Sequence, residues 1–328
     1  MLARKLVERM LAGDKVALAK LMTLVENRHA DTALVMSLVH DRCGHAYTIG
    51  LTGPPGAGKS TLVDRIVGAL RAAGHRVGIV AVDPSSPFSG GAVLGDRIRM
   101  QSHFLDEGVF IRSLSSRGSH GGLARAARDV ARLFDAASYD YVLIETVGVG
   151  QTELDVMRLA DTTVVVLVPE AGDTVQAMKA GLLEIADVFV VNKADRDGAA
   201  RMKSELEMML QLRPAAAWAV PVTMTQGTSG DGVGELMAQI AHHRQFLAAS
   251  GHGHARSAAG RREEFVAVLR EEIARRLEDA LDNGRFGPLL LQLKHGEIDP
   301  YRAAIEMLGS EETIRVIVQA GETGGRHR

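Results

Sequence analysis

Short apolar runs alternate with amphipathic segments along the middle of the chain. Seven runs are rich in Val, Ile and Leu and predict strands over 46–52, 77–83, 109–113, 140–146, 162–168, 187–192 and 219–223. Between them, apolar residues recur at the three- and four-residue spacing of a helix. Near-continuous apolar strands are typical of a parallel sheet that is covered on both faces. The pattern over 46–249 therefore predicts an α/β domain built on a mostly parallel sheet.

Residues 1–45 predict a helical extension before this domain. Apolar residues recur at helical spacing in three stretches, with breaks at Gly13-Asp14 and at 29–31. Asp14 and Asp31 stand where they could cap the helices that follow them.

Residues 250–328 predict a linker and a helical arm. Gly, His and Ser are frequent over 250–262, which favours a mobile linker. A charged helix is predicted from Arg261 to Leu281, and shorter helices near 299–308 and 311–320. One stripe of the long helix is apolar, formed by Phe265, Leu269, Ile273 and Leu277. Such a stripe needs a cover, so we expect either a homodimer through this arm or packing against the chain's own α/β domain.

Composition narrows the classes of partner and compartment. The net charge of −2 leaves no electrostatic footprint for nucleic acid. The single cysteine, Cys43, cannot form an internal disulfide, which suits a reducing compartment. The first residues are amphipathic and no run approaches 18 apolar residues, so we expect neither a signal peptide nor a membrane span. A cytoplasmic protein is the expectation.

The segment Gly53-Pro54-Pro55-Gly56-Ala57-Gly58-Lys59-Ser60 fits the phosphate-loop pattern G-x-x-x-x-G-K-[ST] at every fixed position. It lies between a predicted strand and a predicted helix, which is the context that this motif requires. The loop N–H groups and the helix N-terminus favour an anion. Lys59 can reach the β- and γ-phosphates and the Ser60 hydroxyl can ligate magnesium. The predicted nucleotide contacts are Gly53, Gly56, Ala57, Gly58, Lys59, Ser60 and Thr61.

The base is indicated by Asn192-Lys193-Ala194-Asp195, which follows an apolar run and so lies at the carboxyl end of a strand. The Asp195 carboxylate can accept hydrogen bonds from N1 and the exocyclic amine of guanine. Adenine would leave this carboxylate unpaired, and sites built around polar partners reject analogues that lack them. Asn192, Lys193 and Asp195 therefore predict specificity for GTP.

Three carboxylates are candidates for a magnesium shell together with Ser60. Asp83 and Glu145 each end a predicted strand, and Asp96 lies in a glycine-rich segment. Strand-end carboxylates beside a phosphate loop hold Mg²⁺ directly or through water. Gly148 lies where its N–H could reach the γ-phosphate. No glutamine takes an obvious water-positioning role, so we expect slow intrinsic hydrolysis, with Lys59, Asp83 and Glu145 as the catalytic residues.

Longer motifs resemble one family. They are Val82 to Gly91 with Gly95 to Met100, Glu145 to Glu153, and Ala171 to Gln176 with Lys179-Ala180-Gly181. They resemble the MeaB/ArgK-type GTPases, the chaperones of adenosylcobalamin-dependent methylmalonyl-CoA mutase and its relatives. The match runs from residue 1 to about 309.

The resemblance implies a parallel-sheet GTPase domain with helical extensions and a C-terminal dimerisation arm. It also implies a partner, an adenosylcobalamin-dependent acyl-CoA mutase whose cobalamin loading is gated and which is protected or rescued. Ser60, Asp96 and Glu145 would form the metal shell, with Asp83 near the catalytic water. Residues 170–181 resemble a switch loop that contacts the mutase through Asp173, Gln176 and Lys179. Glu170 departs from the family pattern. So does the segment from Thr223 to Gly227, where Thr225 is assigned to the base.

The sequence leaves three other functions open. A nickel-inserting GTPase would share the fold class but typically brings Cys and His ligands. The histidines His242, His243, His252 and His254 are more simply a solvated helix end and a linker. A GTP-dependent kinase would need a second substrate pocket and a base, for which the sequence has no dedicated motif. A binding protein without hydrolysis is disfavoured by the intact Lys59, Ser60, Asp96 and Glu145.

Overall fold

The computed structural model describes residues 2–83, 103, 105–115, 122–146, 148, 150–169, 181–214, 216–284, 286–311 and 313–315. The chain divides into two units, one that ends at Gly251 and one that begins at His252. The first unit contains the sheet and the nucleotide motifs.

Within the described residues, seven strands form one sheet in which every pairing is parallel. The strands are β1 Tyr47–Thr52, β2 Val77–Asp83, β3 Val109–Ser115, β4 Tyr141–Thr146, β5 Thr162–Leu167, β6 Val188–Asn192 and β7 Val222–Thr225. Their order is β3-β2-β4-β1-β5-β6-β7. The predicted α/β class is therefore confirmed. The last strand begins after its predicted start because Pro221 cannot donate to the ladder.

Helices cover both faces of the sheet, and further helices form the second unit. In the first unit they are α1 Leu2–Leu11, α2 Lys15–Glu26, α3 Thr32–Val39, α4 Lys59–Ala72, α5 Gly122–Ala136, α6 Gln151–Met157, α7 Leu182–Ile185, α8 Ala199–Gln211 and α9 Val233–Ser250. In the second unit they are α10 His252–Asp282, α11 Gly287–His295 and α12 Pro300–Gly309. No described helix is both long enough and apolar enough to cross a membrane.

The N-terminal extension packs against α5, which lies on one face of the sheet. Its helices share a core with α5, in which Met10, Leu21 and Phe134 are fully buried. The prediction of an N-cap at Asp14 is confirmed, since its carboxylate accepts from the N–H groups of Val16 and Ala17 at 2.8 and 3.0 Å. These bonds and the Arg9 guanidinium lower the pKa of Asp14. Asp31 also lies at an N-cap position, but its side chain makes no capping hydrogen bond.

The predicted linker over 250–262 is wrong for most of its length. Gly251, with φ of +69°, ends α9, and the next helix begins at His252. Alanine and arginine are frequent over 255–262, and their helix propensity outweighs the cost of Gly253 and Gly260 within the helix. The helix Gly287–His295 was not predicted, although Pro288 near its start and Gly296 after its end are typical helix boundaries.

Strand order sets where a ligand can bind. β1 lies between β4 and β5. From β1 the chain builds the sheet towards β3 on one side and towards β7 on the other, so the strand order changes direction at β1. Open α/β sheets bind ligands at the carboxyl ends of the strands at such a point. The register places Leu51 beside Glu145 and Asn192 beside Thr225. The phosphate loop and two other motifs thus lie at the same edge of the sheet.

Candidate nucleotide-binding site

The phosphate loop connects β1 to α4 as the sequence predicts. Gly53 has a φ of +150°, and a Cβ there would lie 2.0 Å from the carbonyl oxygen of Val166 in β5. Gly58 has a φ of +86° and immediately precedes α4. Both positions require glycine because the backbone conformation and the close neighbours exclude a side chain. The loop is therefore shaped by its contact with the next strand as well as by its own sequence.

Lys59 begins α4 and turns back over the loop. Its Nζ donates to the carbonyl oxygens of Gly53 and Pro54 at 2.8 and 3.0 Å, and the residue is 6% exposed. These bonds fix the ammonium inside the curve of the loop. An ammonium held in this way supplies a positive charge for a phosphate without further ordering of a long side chain.

Ser60 is joined directly to the end of β4. Its hydroxyl donates to Oε1 of Glu145 at 2.6 Å, and both residues are buried. The structure thus brings together two of the four predicted magnesium ligands. A hydroxyl and a carboxylate oxygen are hard donors of the kind that Mg²⁺ prefers, so this pair fits the predicted cation.

Asn192 links the base motif to the phosphate loop. Its Nδ2 donates to the carbonyl oxygen of Ala57 at 2.8 Å. Its Oδ1 accepts from the Thr225 hydroxyl at 3.0 Å and from the Gly227 N–H at 3.1 Å. A Cβ at Gly58 would lie 2.4 Å from the same amide nitrogen. One buried side chain therefore fixes the spacing between the phosphate loop and the segment that follows β7.

Asp195 lies just beyond this link and is exposed. Lys193 has a φ of +56°, which is uncommon for a residue with a side chain and turns the chain at the end of β6. The N–H of Ala194 donates to the carbonyl oxygen of Thr225 at 3.0 Å, so the two segments lie side by side. The Thr225 side chain is buried and is bonded to Asn192, which gives it a supporting contact within the predicted base site.

The carbonyl oxygen of Gly148 accepts hydrogen bonds from two threonines that were not among the predicted site residues. The hydroxyls of Thr52 and Thr146 donate to it at 3.0 and 3.1 Å. Thr52 ends β1 and Thr146 ends β4. Because these two strands are paired, both hydroxyls lie at the same edge of the sheet. The predicted contact between the Gly148 N–H and a γ-phosphate stays a prediction.

The far end of α4 is anchored by Arg71. Its guanidinium donates to both carboxylate oxygens of Asp106 at 2.8 Å and to the carbonyl oxygen of His75 at 2.6 Å. The hydrogen bond from Arg71 lowers the pKa of Asp106. Because α4 also carries Lys59 and Ser60, this anchor helps to fix the helix that presents them.

The prediction that His243 belongs to a solvated helix end is wrong. This residue is not solvated: it is 1% exposed, and its Nδ1 lies 2.7 Å from the Thr162 hydroxyl. It is buried because it shares the inward face of α9 with Leu236, Ile240 and Leu247. His242 lies against the Trp218 ring, with 5.2 Å between centroids. Among the described residues, no group of three His, Cys, Asp or Glu side chains is placed to hold a metal ion.

Some predicted site residues lie outside the described residues. They are Asp96, Asp173, Gln176 and Lys179. The backbone of Asp83 ends β2 as predicted, but its side chain is not described. The metal and switch assignments of these five residues stay predictions.

The chain is similar in sequence to proteins that are named GTPases. A sequence profile described as "Methylmalonyl Co-A mutase-associated GTPase MeaB" matches residues 18–282. A Pyrococcus abyssi relative is 46% identical over 304 residues, which cover 92% of this chain and 94% of that protein. GTPase ArgK of Escherichia coli K12 is 35% identical over 308 residues, covering 90% and 92%. A crystal structure named "LAO/AO transport system kinase" matches with a TM-score of 0.68 and 28% identity over 98% of each chain.

Proposed function

Because the chain belongs to the family of methylmalonyl-CoA mutase-associated GTPases, we propose that it is a GTP-hydrolysing chaperone of an adenosylcobalamin-dependent acyl-CoA mutase. In this proposal, binding and hydrolysis of GTP gate the loading of cobalamin and the protection or reactivation of the mutase. The observation that carries the GTPase part is the pair of hydrogen bonds that joins three motifs, Ser60 to Glu145 and Asn192 to Ala57. These bonds support the proposal because they bring the phosphate-loop motif, Glu145 and the base motif together at one edge of the sheet.

The proposed reaction transfers the γ-phosphoryl group of GTP to water and gives GDP and phosphate. Lys59 holds the β- and γ-phosphates, and Ser60 with Glu145 would hold Mg²⁺, which when bound neutralises developing charge on the phosphate oxygens. Asp83 is proposed to lie near the attacking water. Since no glutamine has an obvious water-positioning role, we expect slow turnover without a partner.

The partner part of the proposal rests on the family and on the resemblance of residues 170–181 to a switch loop. Purified mutase from the same organism should accelerate phosphate release from GTP. If the mutase also changes the affinity for nucleotide, GTP and GDP must change the affinity for the mutase, because coupling between two binding sites is reciprocal. Phosphate release and pull-downs with GTP, GDP and a non-hydrolysable analogue measure both effects. Charge reversal at Lys179 should weaken the acceleration while basal turnover stays nearly unchanged.

Failure of this test has a distinct meaning. If no cobalamin mutase of that proteome binds in a nucleotide-dependent way or accelerates turnover, the chaperone proposal is wrong and a GTPase with another client remains. A kinase is the second candidate, favoured by the name of the similar crystal structure. With γ-labelled GTP, label on a protein or a small acceptor supports the kinase, and label only in free phosphate supports hydrolysis.

Removing the charge of Glu145 should weaken the dependence on magnesium. In Glu145→Gln the Ser60 hydroxyl keeps an acceptor of similar shape, but the charge beside the proposed Mg²⁺ is lost. We expect the Mg²⁺ concentration for half-maximal GTP turnover to rise about tenfold, equivalent to about 1.4 kcal/mol. A magnesium titration of phosphate release at saturating GTP measures this.

Asp129→Asn is the matched control, because Asp129 is also a buried carboxylate but lies on α5 near Arg125. A magnesium dependence that shifts equally in both variants would indicate a general loss of structure. An unchanged dependence in Glu145→Gln would contradict its place in the metal shell.

We also propose that the second unit forms a homodimer. Phe265, Val268 and Leu269 on α10 are 64%, 39% and 46% exposed. Tyr301, Ile305 and Leu308 on α12 are exposed by 84%, 71% and 62%. Exposed apolar side chains concentrated on one helical unit are typical of a surface that another chain covers.

Glutamate at the two most exposed of these apolar side chains on α10 should separate this dimer. In the double variant Phe265→Glu and Leu269→Glu, burial of two carboxylates would oppose association, and light scattering should report a monomer. Leu212→Glu is the control, since Leu212 is 82% exposed in the first unit. A double variant that remains dimeric, or an unmodified chain that is monomeric, would rule out dimerisation through this stripe.

A further inference from the structure

The loop from Gln226 to Asp231, which follows β7, is closed by its own hydrogen bonds. The N–H of Gln226 donates to the carbonyl oxygen of Asp231 at 2.9 Å, and the N–H of Gly230 donates to that of Gln226 at 2.8 Å. The Ser229 hydroxyl donates to Oδ2 of Asp231 at 2.7 Å. This segment, here called the 226–231 loop, is therefore a compact turn.

Two side chains attach this loop to the rest of the site. One is Asn192, whose Oδ1 accepts from the N–H of Gly227. The other is Arg65, which lies six residues after Lys59 on α4. Its Nε donates to the carbonyl oxygen of Gly227 at 3.0 Å, and its Nη2 donates to the carbonyl oxygen of Thr228. The helix that carries the phosphate lysine is thus bonded to the loop beside the base motif.

The two Arg65 bonds also set the direction of neighbouring N–H groups in the loop. A peptide unit is planar and trans, so its C=O and N–H point in opposite directions. Fixing the Gly227 carbonyl therefore fixes the direction of the Thr228 N–H, and fixing the Thr228 carbonyl fixes that of the Ser229 N–H. A charged donor on a carbonyl also polarises the peptide and strengthens the hydrogen bond that its N–H can donate.

Guanine has three groups by which a protein can recognise it, namely two donors and one acceptor. Its N1–H and 2-amino group are donors, which suit the Asp195 carboxylate. Its O6 is an acceptor and needs a donor close to Asp195. The Thr225 hydroxyl is engaged with Asn192, whereas the 226–231 loop lies beside the Asp195 segment and carries peptide N–H groups.

We propose that Arg65 is a positioning residue for base recognition, which holds the 226–231 loop so that the N–H groups of Thr228 and Ser229 donate to the O6 oxygen of guanine. This inference rests on the proposed GTP-binding function and adds a specificity device to it. Arg65 touches neither the base nor the phosphates in this role. It acts through the Gly227 and Thr228 peptides.

Nucleotide analogues distinguish a role of Arg65 in O6 recognition from a role in stabilising the whole nucleotide site. Inosine triphosphate keeps O6 and lacks the 2-amino group, whereas 2-aminopurine riboside triphosphate keeps the 2-amino group and lacks O6. In Arg65→Met, which retains an apolar stem, binding of GTP and inosine triphosphate should weaken by about five- to tenfold. Binding of the 2-aminopurine nucleotide should change by less than about twofold. The turnover number at saturating GTP should remain near that of the unmodified chain.

Two further variants complete the experiment. Arg65→Lys supplies a single point charge in place of a planar fork and should give an intermediate loss. Arg201→Met is the control, since Arg201 is an exposed arginine on α8 that pairs with Glu205. Calorimetry gives the affinities, and thermal melting identifies any variant that has lost its fold.

The outcomes are distinguishable. A loss confined to the two nucleotides with O6 supports the inference. Equal loss for all three nucleotides, or no loss for any, overturns it and leaves Arg65 as a structural support or a surface residue. The affinities of the unmodified chain for GTP and ATP are measured before any Arg65 variant. If this chain does not prefer GTP to ATP, the proposed function itself fails.

Discussion

Replacing Lys59 with alanine is expected to lower the affinity for GTP and GDP by at least about 100-fold and to abolish measurable turnover, a loss of roughly 2.7 kcal/mol or more. In the proposed site the ammonium neutralises phosphate charge, and in the structure it donates to the carbonyl oxygens of Gly53 and Pro54. Alanine removes the charge and leaves two carbonyl oxygens beside an anion. Calorimetry with both nucleotides and a phosphate-release assay measure the effect.

Two other lysine variants show which property of Lys59 matters. Lys59→Arg keeps the charge but places a larger planar group in a buried position, so we expect binding to remain impaired. Lys203→Ala is the control, since Lys203 lies on α8 and pairs with Glu207. Affinity within about threefold of the unmodified chain in a folded Lys59→Ala protein would contradict the phosphate assignment.

Replacing Asp195 with asparagine is expected to reverse the preference between guanine and xanthine nucleotides. The amide oxygen can still accept from N1–H, but the amide nitrogen faces the 2-amino group of guanine donor to donor. Xanthine has a carbonyl oxygen at this position, which accepts from the amide. We expect GTP affinity to fall by about 100-fold and xanthosine triphosphate to become the preferred ligand, since unpaired polar groups are strongly rejected.

Because Asp195 is exposed, its substitution should change the contact with the base and leave the buried hydrogen bond from Asn192 to Ala57 in place. Asp197→Asn, a change of the same kind two residues along an exposed segment, is the control and should keep guanine preference. Competition binding with GTP, xanthosine triphosphate and ATP gives the ratios of their affinities. A variant that still prefers GTP, or an unmodified chain that binds ATP as tightly as GTP, would refute the assignment.

Most of the sheet could be predicted because its strands carry a strong local signal. The predicted strand over 77–83 coincides with Val77–Asp83, and the run before the phosphate loop differs by one residue. Errors occurred where local composition was ambiguous. Gly and His over 250–262 suggested a linker, but alanine and arginine in the same segment extend α10. The face of α9 that buries His243 depends on the strands beneath it, which a histidine count does not reveal.

The sequence by itself determined the α/β class, the phosphate loop and the base motif, since each depends on residue types at fixed local spacing. Only the tertiary structure decided how these parts meet. Ser60 reaches Glu145 across 85 positions, Asn192 reaches Ala57 across 135, and Arg65 reaches Gly227 across 162. Such contacts follow from strand order, which places β4 and β5 on either side of β1. Local periodicity does not encode that order, because the free energy of pairing distant strands is realised only when the whole sheet forms.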